Sequence, residues 1–164
     1  MSPVRNFGEI TAHDGGFAEI SNGMSPQKKS NLHVFIDGAS RGNPGPASAG
    51  VVFQDADGQT VKSFSIRIGH ATNNVAEYSA LIFALQEALM MRVKELKIFT
   101  DSELLAKQFN GEYKVKEDTI KVLYQFVSHL RQGFKSLRLS HIPREQNKLA
   151  DKEANKALDQ GFLL

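Results

Sequence analysis

Two aspartates in this chain of 164 residues follow short apolar runs: Asp37 comes after Val34-Phe35-Ile36, and Asp101 comes after Leu96-Lys97-Ile98-Phe99 and one threonine. An apolar run that ends at an acid reads as a buried strand carrying a carboxylate at its tip. Open α/β sheets place their sites at such carboxyl ends. If the two strands are neighbours, a spacing of about 5 Å brings both carboxylates within reach of one ion. Like charges that close repel unless a cation lies between them, so the pair predicts a metal. Aspartates also end strands as turn formers, and Ser102 is a helix cap in its own right, so either residue alone supports both readings. Glu77 and Asp151 lie near the starts of two helical stretches, where the helix dipole by itself favours acids. Four acids therefore sit at the mouth ends of four elements.

The stretch after Asp37 is Gly38-Ala39-Ser40-Arg41-Gly42-Asn43-Pro44-Gly45-Pro46-Ala47, and it reads as a tight loop whose backbone approaches a ligand closely. It contains no GxxxxGK[ST] and no GxGxxG after a strand, so a nucleotide-phosphate cradle is not supported. The chain has no cysteine, which excludes disulfides, zinc ribbons and thiol nucleophiles. No Ser/His/Asp arrangement is legible from residue order.

Positioning these acids requires a particular series of elements. Leu32–Ile36 reads as a buried strand and Ala49–Gln54 as a second, followed by the turn Asp55-Ala56-Asp57-Gly58. Phe64, Ile66 and Ile68 alternate with polar residues in a third, giving an antiparallel meander. Apolar residues then recur at helical spacing from Val75 to Met91, with Thr72, Asn73 or Asn74 as the cap. Leu96–Phe99 is a fourth strand, and Ser102 caps a short helix to about Asn110. Asp118 or Thr119 opens a helix to Arg131, Leu137–Ile142 is a fifth strand, and Asn147 starts a last helix to about Leu158. The order βββαβααβα predicts an α/β fold: a mixed five-stranded sheet, three antiparallel strands then two parallel, with helices on both faces. Residues 1–30 lack a sustained period and read as a tail or extension, with Phe7, Phe17 and Ile20 as candidate anchors. Residues 31–164 read as one domain.

The net charge of +2 identifies no partner, but it is unevenly spread. Residues 31–106 carry −2 and residues 107–156 carry +5. Such a division can bring a polyanion to the basic part and hold cations in the acidic part. No apolar run approaches the roughly 20 residues of a membrane helix, and the N-terminus lacks a secretory pattern. A cytoplasmic domain without membrane contact is expected.

Four blocks carry a resemblance: DGASRGNPGPASAG at 37–50, TNNVAEYSALIFAL at 72–85, IFTDSELLAKQFNG at 98–111 and HIPREQNKLADKEAN at 141–155. In order and spacing they resemble the signature blocks of type 1 ribonuclease H over residues 31–158. The resemblance implies an endonuclease that cuts the RNA strand of an RNA–DNA hybrid, leaving 5′-phosphate and 3′-hydroxyl ends. It implies that Asp37, Glu77, Asp101 and Asp151 hold two Mg²⁺ ions, with Mn²⁺ as a substitute. By the same analogy Asp37 bridges both ions, Asp151 helps hold the ion that activates water, and Glu77 with Asp101 holds the ion near the leaving oxygen. Asn43, Asn73 and Asn74 match positions that read the minor groove, where 2′-hydroxyls distinguish RNA. Gly38, Ser40 and Arg41 are further substrate candidates, and Thr72 resembles a residue that binds a DNA-strand phosphate.

The family also uses a mobile histidine before its last aspartate. His141 is the histidine available, but it also reads as the end of the fifth strand, which leaves Arg144 as the loop's functional cation. His33, between apolar neighbours, reads as structural. Many family members carry a basic helix-and-loop handle, and Asn110–Thr119 is too short for one. Lys114 and Lys116 partly replace its charge, and residues 1–30 lack the features of the family's separate hybrid-binding domain. A monomer is expected. Two other readings are a non-catalytic nucleic-acid-binding domain on the same fold and a related nuclease or transposase core acting on DNA. An intact set of four acids argues against the first, because a binder gains nothing from clustered acids facing a polyanion. Asn73-Asn74 and the Gly-rich first block argue against the second.

Overall fold

The computed structural model describes residues 31–160, so the tail reading of residues 1–30 lies outside the described residues. The elements are β1 (Leu32–Ser40), β2 (Gly45–Gln54), β3 (Thr60–Ala71), α1 (Asn73–Met90), β4 (Glu95–Thr100), α2 (Glu103–Phe109), α3 (Asp118–Arg131), β5 (Ser136–His141) and α4 (Lys148–Gln160), with a 3₁₀ turn at Arg144–Gln146. The order is the expected βββαβααβα. The sheet runs β3-β2-β1-β4-β5. Its first three strands are antiparallel, and β4 and β5 run parallel to β1.

Alternation along β1 decides what the sheet buries. Leu32, Val34 and Ile36 point to one side and are fully buried with Ile98 of β4, Leu81 and Leu85 of α1, and Val127 of α3. Ala76, Ala80, Ala84 and Ala88 form the contact stripe of α1, and these small residues let the helix lie close to the sheet. Two glycines take that closeness further. A Cβ on Gly38 would sit 2.3 Å from the backbone nitrogen of Glu77 in α1, and one on Gly50 would sit 2.4 Å from the Ala150 carbonyl oxygen in α4. Asp37 pairs with Gly50 and Gly38 pairs with Ala49, so the two glycines face opposite sides of the sheet. Hence α1 covers one face and α4 the other.

β1 departs from the sequence expectation. Its parallel pairing with β4 ends at Ile36 and Thr100, but its antiparallel pairing with β2 continues through Asp37 to Ser40 opposite Ala47. Asp37 therefore lies inside β1 and does not close it. Gly38 and its small neighbours, expected to form a loop, stay in the ladder because β2 satisfies their backbone groups. The glycine- and proline-rich loop shrinks to Arg41–Pro44. β2 and β3 likewise extend beyond their apolar cores, and no helix among the described residues is long and apolar enough to cross a membrane.

Candidate active site

Each acid reaches the site by a different route. Asp37 sits where β1 loses its parallel partner, and Asp101 follows the last residue of β4. Glu77 comes from α1, drawn against β1 by the missing Cβ of Gly38, whose N–H donates to the Glu77 carboxylate. One carboxylate oxygen from each of Asp37, Glu77 and Asp101 lies within 4.8 Å of the other two. Asp151 enters from the first turn of α4, and its side chain is within hydrogen-bonding reach of Asp37. All four acids line one cleft of about 440 Å³.

Burial makes this cluster costly to ionise. Asp37 is 6% exposed, and its burial, then the charges of Asp101 and Asp151, pushes its carboxyl up to about 8. Burial also raises Glu77 well above the usual carboxylate range, with Asp37 and Asp101 adding to the effect. The Glu77 Oε2 atom is buried without a hydrogen-bond partner. Among the described residues, Arg144 is the one Lys or Arg lining the cleft. A hard, all-oxygen donor set that is crowded, acidic and short of counter-charge fits a divalent cation.

The polar residues around the acids divide by position. Ser40, Asn73 and Asn74 line the cleft with Gly38. Thr72, not either asparagine, caps α1: its Oγ1 accepts from the Val75 N–H at 3.3 Å. Asn73 and Asn74 thus occupy the first turn. Asn43 stands behind them, its Oδ1 accepting from the Asn73 N–H at 3.1 Å. The Ser40 hydroxyl donates to the Ala71 carbonyl at 2.8 Å, which braces the loop, and Arg41 pairs with Asp159 of α4. Arg144 reaches the cleft from the 3₁₀ turn. His141 ends β5 opposite Thr100, is exposed, and does not line the cleft. It stands near Glu103, whose carboxyl is held below its usual range by Lys107 and, more weakly, by His141.

Two asparagines have positioning contacts that sequence reasoning missed. Asn147 is 1% exposed, and its Nδ2 donates to the Ile36 carbonyl at 2.9 Å, tying the start of α4 to the residue before Asp37. Its own carbonyl accepts from the Asp151 N–H at 3.1 Å. Asn155 donates to Asp151 Oδ1 at 3.1 Å and also lines the cleft. The four-residue spacing from Asp151 to Asn155 on one helix was a usable signal. No local signal links Asn147 to Ile36.

Over residues 35–157 the sequence matches the family described as Reverse transcriptase-like. Ribonuclease HI of Halobacterium salinarum is 36% identical over 151 residues, spanning 92% of this chain and 76% of that protein. The bifunctional protein Rv2228c of Mycobacterium tuberculosis is 43% identical over 127 residues, which span 77% of this chain but 35% of that protein. A crystal structure of LC11-RNase H1 in complex with RNA/DNA hybrid is similar with a TM-score of 0.77 and 42% identity, covering 80% of this chain and 99% of that one. Similarity of this extent, on a mixed sheet that brings four acids to one cleft, places the chain in a family: it belongs to the ribonuclease HI family.

Proposed function

We propose that this ribonuclease H hydrolyses the RNA strand of RNA–DNA hybrids at Asp37, Glu77, Asp101 and Asp151, leaving 5′-phosphate and 3′-hydroxyl ends. The observation that carries the reading is the group of three carboxylates within 4.8 Å, together with the buried, unpartnered oxygen of Glu77. When bound, two Mg²⁺ ions, or Mn²⁺ in their place, supply the Lewis acidity that generates the attacking hydroxide and stabilises charge on the phosphate. Asp37, which interacts with Glu77, Asp101 and Asp151, would hold the ions together with them. Asp151 would hold metal on the side of the attacking water, and Glu77 and Asp101 on the side of the leaving oxygen.

The remaining residues bind and orient the substrate. Asn73 and Asn74 present their amides to the minor groove and read 2′-hydroxyls, with Asn43 holding their turn in place. Gly38 and Ser40 form a low wall that lets the RNA backbone approach. Thr72, behind that turn, is the DNA-phosphate candidate. Arg144 supplies a fixed positive charge beside the scissile phosphate. A second hollow of about 570 Å³ shares Asn74 with the cleft and is lined by Tyr113, Lys114 and Lys116. In place of a handle, it takes the DNA strand. One copy of the chain contributes every acid of the cleft, so a cytoplasmic monomer suffices for the reaction.

The test is cleavage of end-labelled RNA–DNA, RNA–RNA and DNA–DNA duplexes with Mg²⁺, with Mn²⁺ and with chelator. Only the RNA of the hybrid should be cut, and only with metal. Asp37→Asn should abolish cleavage while hybrid binding persists. Comparable cutting of DNA–DNA, or near-normal turnover by the folded Asp37→Asn protein, overturns the reading.

A further inference from the structure

Among the described residues, the face of the sheet opposite α1 is covered only in part, because α4 packs across β1, β2 and β3. On the uncovered part, parallel register places His33, Lys97 and Arg138 side by side, with Phe35, Phe99 and Ser140 in the next row. Parallel neighbours in one row share a face and lie about 4.8 Å apart. Phe35 and Phe99 are stacked with ring centres 5.0 Å apart, and His33 meets Phe99 edge-on at 5.4 Å. All three rings are half-buried and stand outside the hydrophobic core. Burial and the charge of Lys97 depress His33, which keeps it a neutral ring at physiological pH.

Cations surround these rings. Lys97 and Arg138 are exposed, and so are Arg92, Lys94 and Lys135 in the turns that lead into β4 and β5. The two turns adjoin, since the Lys135 N–H donates to the Lys94 carbonyl at 2.8 Å. None of these five cations has an ion-pair partner among the described residues. Two of them, Lys97 and Arg138, line a hollow of about 500 Å³ together with Asn31, His33 and Ser136, with Glu95 as its one acid. It lies at the amino ends of β1 and β4, the ends opposite Asp37 and Asp101.

We propose that this face, built from His33, Phe35, Phe99, Lys97 and Arg138, binds single-stranded nucleic acid separately from the catalytic cleft. Partly exposed rings on this part of the sheet give bases a surface to stack on, and the cations beside them, unpaired among the described residues, take the phosphates. Charge complementarity selects a polyanion, and the rings select one that carries bases. Duplex ends offer few unstacked bases, so the ligand is an unpaired strand, such as one extending from a hybrid.

The experiment is fluorescence anisotropy of a labelled 12-nucleotide single-stranded RNA on the full chain in chelator, where no cleavage occurs. Its outcome is therefore independent of whether the cleft is a nuclease. The Lys97→Glu/Arg138→Glu double variant should lose at least tenfold in affinity. The salt slope should fall by about 1.4, since single strands lose roughly 0.7 per phosphate contact. The same variant should cut a blunt hybrid at the parent rate. Phe35→Leu should weaken RNA but not an equally charged polyphosphate. Unchanged RNA affinity in the double variant, or polyphosphate binding as tightly as RNA, overturns the proposal.

Discussion

At the residue scale, Asp37 shows how burial prepares a metal ligand. In the folded chain its carboxyl keeps its proton up to about pH 8, whereas its ordinary value is 3.8. Between those values the unfolded chain has released a proton that the folded chain still holds, so folding loses stability as pH rises from about 4 to 8. Melting in chelator should therefore show Tm falling across that window. Asp37→Asn should flatten the slope and melt above the parent at pH 8. Mg²⁺ should raise Tm more at pH 8 than at pH 5, because a cation competes with the retained protons. A flat profile in chelator contradicts the electrostatics of the cluster. The loop cation is the second question at this scale. Arg144 lines the cleft and His141 does not, so Arg144→Ala should carry the larger loss in turnover at saturating hybrid, tenfold or more. Arginine cannot titrate near neutrality whereas histidine can. A larger defect in His141→Ala would transfer the role to a residue that moves into the cleft when substrate binds.

At the scale of elements, two helices deliver half of the acids because two strand residues have no side chain. Gly38 admits α1 with Glu77, and Gly50 admits α4 with Asp151. Gly50→Ala forces its new Cβ against the Ala150 carbonyl and the Ala154 nitrogen, both backbone atoms that cannot rotate away. Overpacking of this kind costs about 1–3 kcal/mol. It should also displace Asp151, so turnover should fall further than in Val127→Ala, a cavity variant at a buried position of α3 that does not line the cleft. Thermal melts and single-turnover cleavage of both variants provide the comparison. Equal turnover at equal stability would show that α4 relaxes without moving its aspartate. Asn147 completes this joint by spending its amide on the Ile36 carbonyl. Helix α4 is thereby tied to β1 beside the residue its aspartate must meet.

At the scale of the whole molecule, charge is divided between the acidic cleft and the basic residues beyond it. Residues 31–106 carry −2 and residues 107–156 carry +5. Asn74 lies on the border, lining both the cleft and the hollow with Lys114 and Lys116. A hybrid laid across both would put its RNA strand at the acids and its DNA strand at the lysines. Lys114→Ala/Lys116→Ala should then reduce the slope of log affinity against log salt by about 1–2, since each phosphate contact contributes about 0.9. Strand choice should stay unchanged, because phosphate contacts position and do not specify. Titrations of a non-cleaved hybrid in chelator at several salt concentrations measure it. An unchanged slope would move the phosphate track to Lys148 and Lys152 on α4.

How much of this was legible in the sequence follows from how local each signal is. Hydrophobic period and turn residues lie within a few positions of one another, so the order βββαβααβα and the mixed sheet could be read from the sequence. Asp37 and Asp101 were legible as a pair because each follows an apolar strand. Glu77 and Asp151 were not separable from acids placed by helix dipoles, and the family resemblance singled them out before geometry did. The sequence offers Thr72, Asn73 and Asn74 as caps of α1, three adjacent residues able to accept the same hydrogen bond. Only folding decided for Thr72 and turned the asparagines to the cleft. Gly38 read as the end of a strand, because a glycine's local signal is a turn. In the folded chain its missing Cβ makes room for a helix distant in sequence. The tie from Asn147 to Ile36 joins residues 111 positions apart, and no periodicity spans that distance. The sequence alone determined the elements and the chemical types at their ends. The tertiary structure decided which ends meet and how deeply they are buried, and so how strongly the cluster demands a cation, because pairing and packing depend on every element at once.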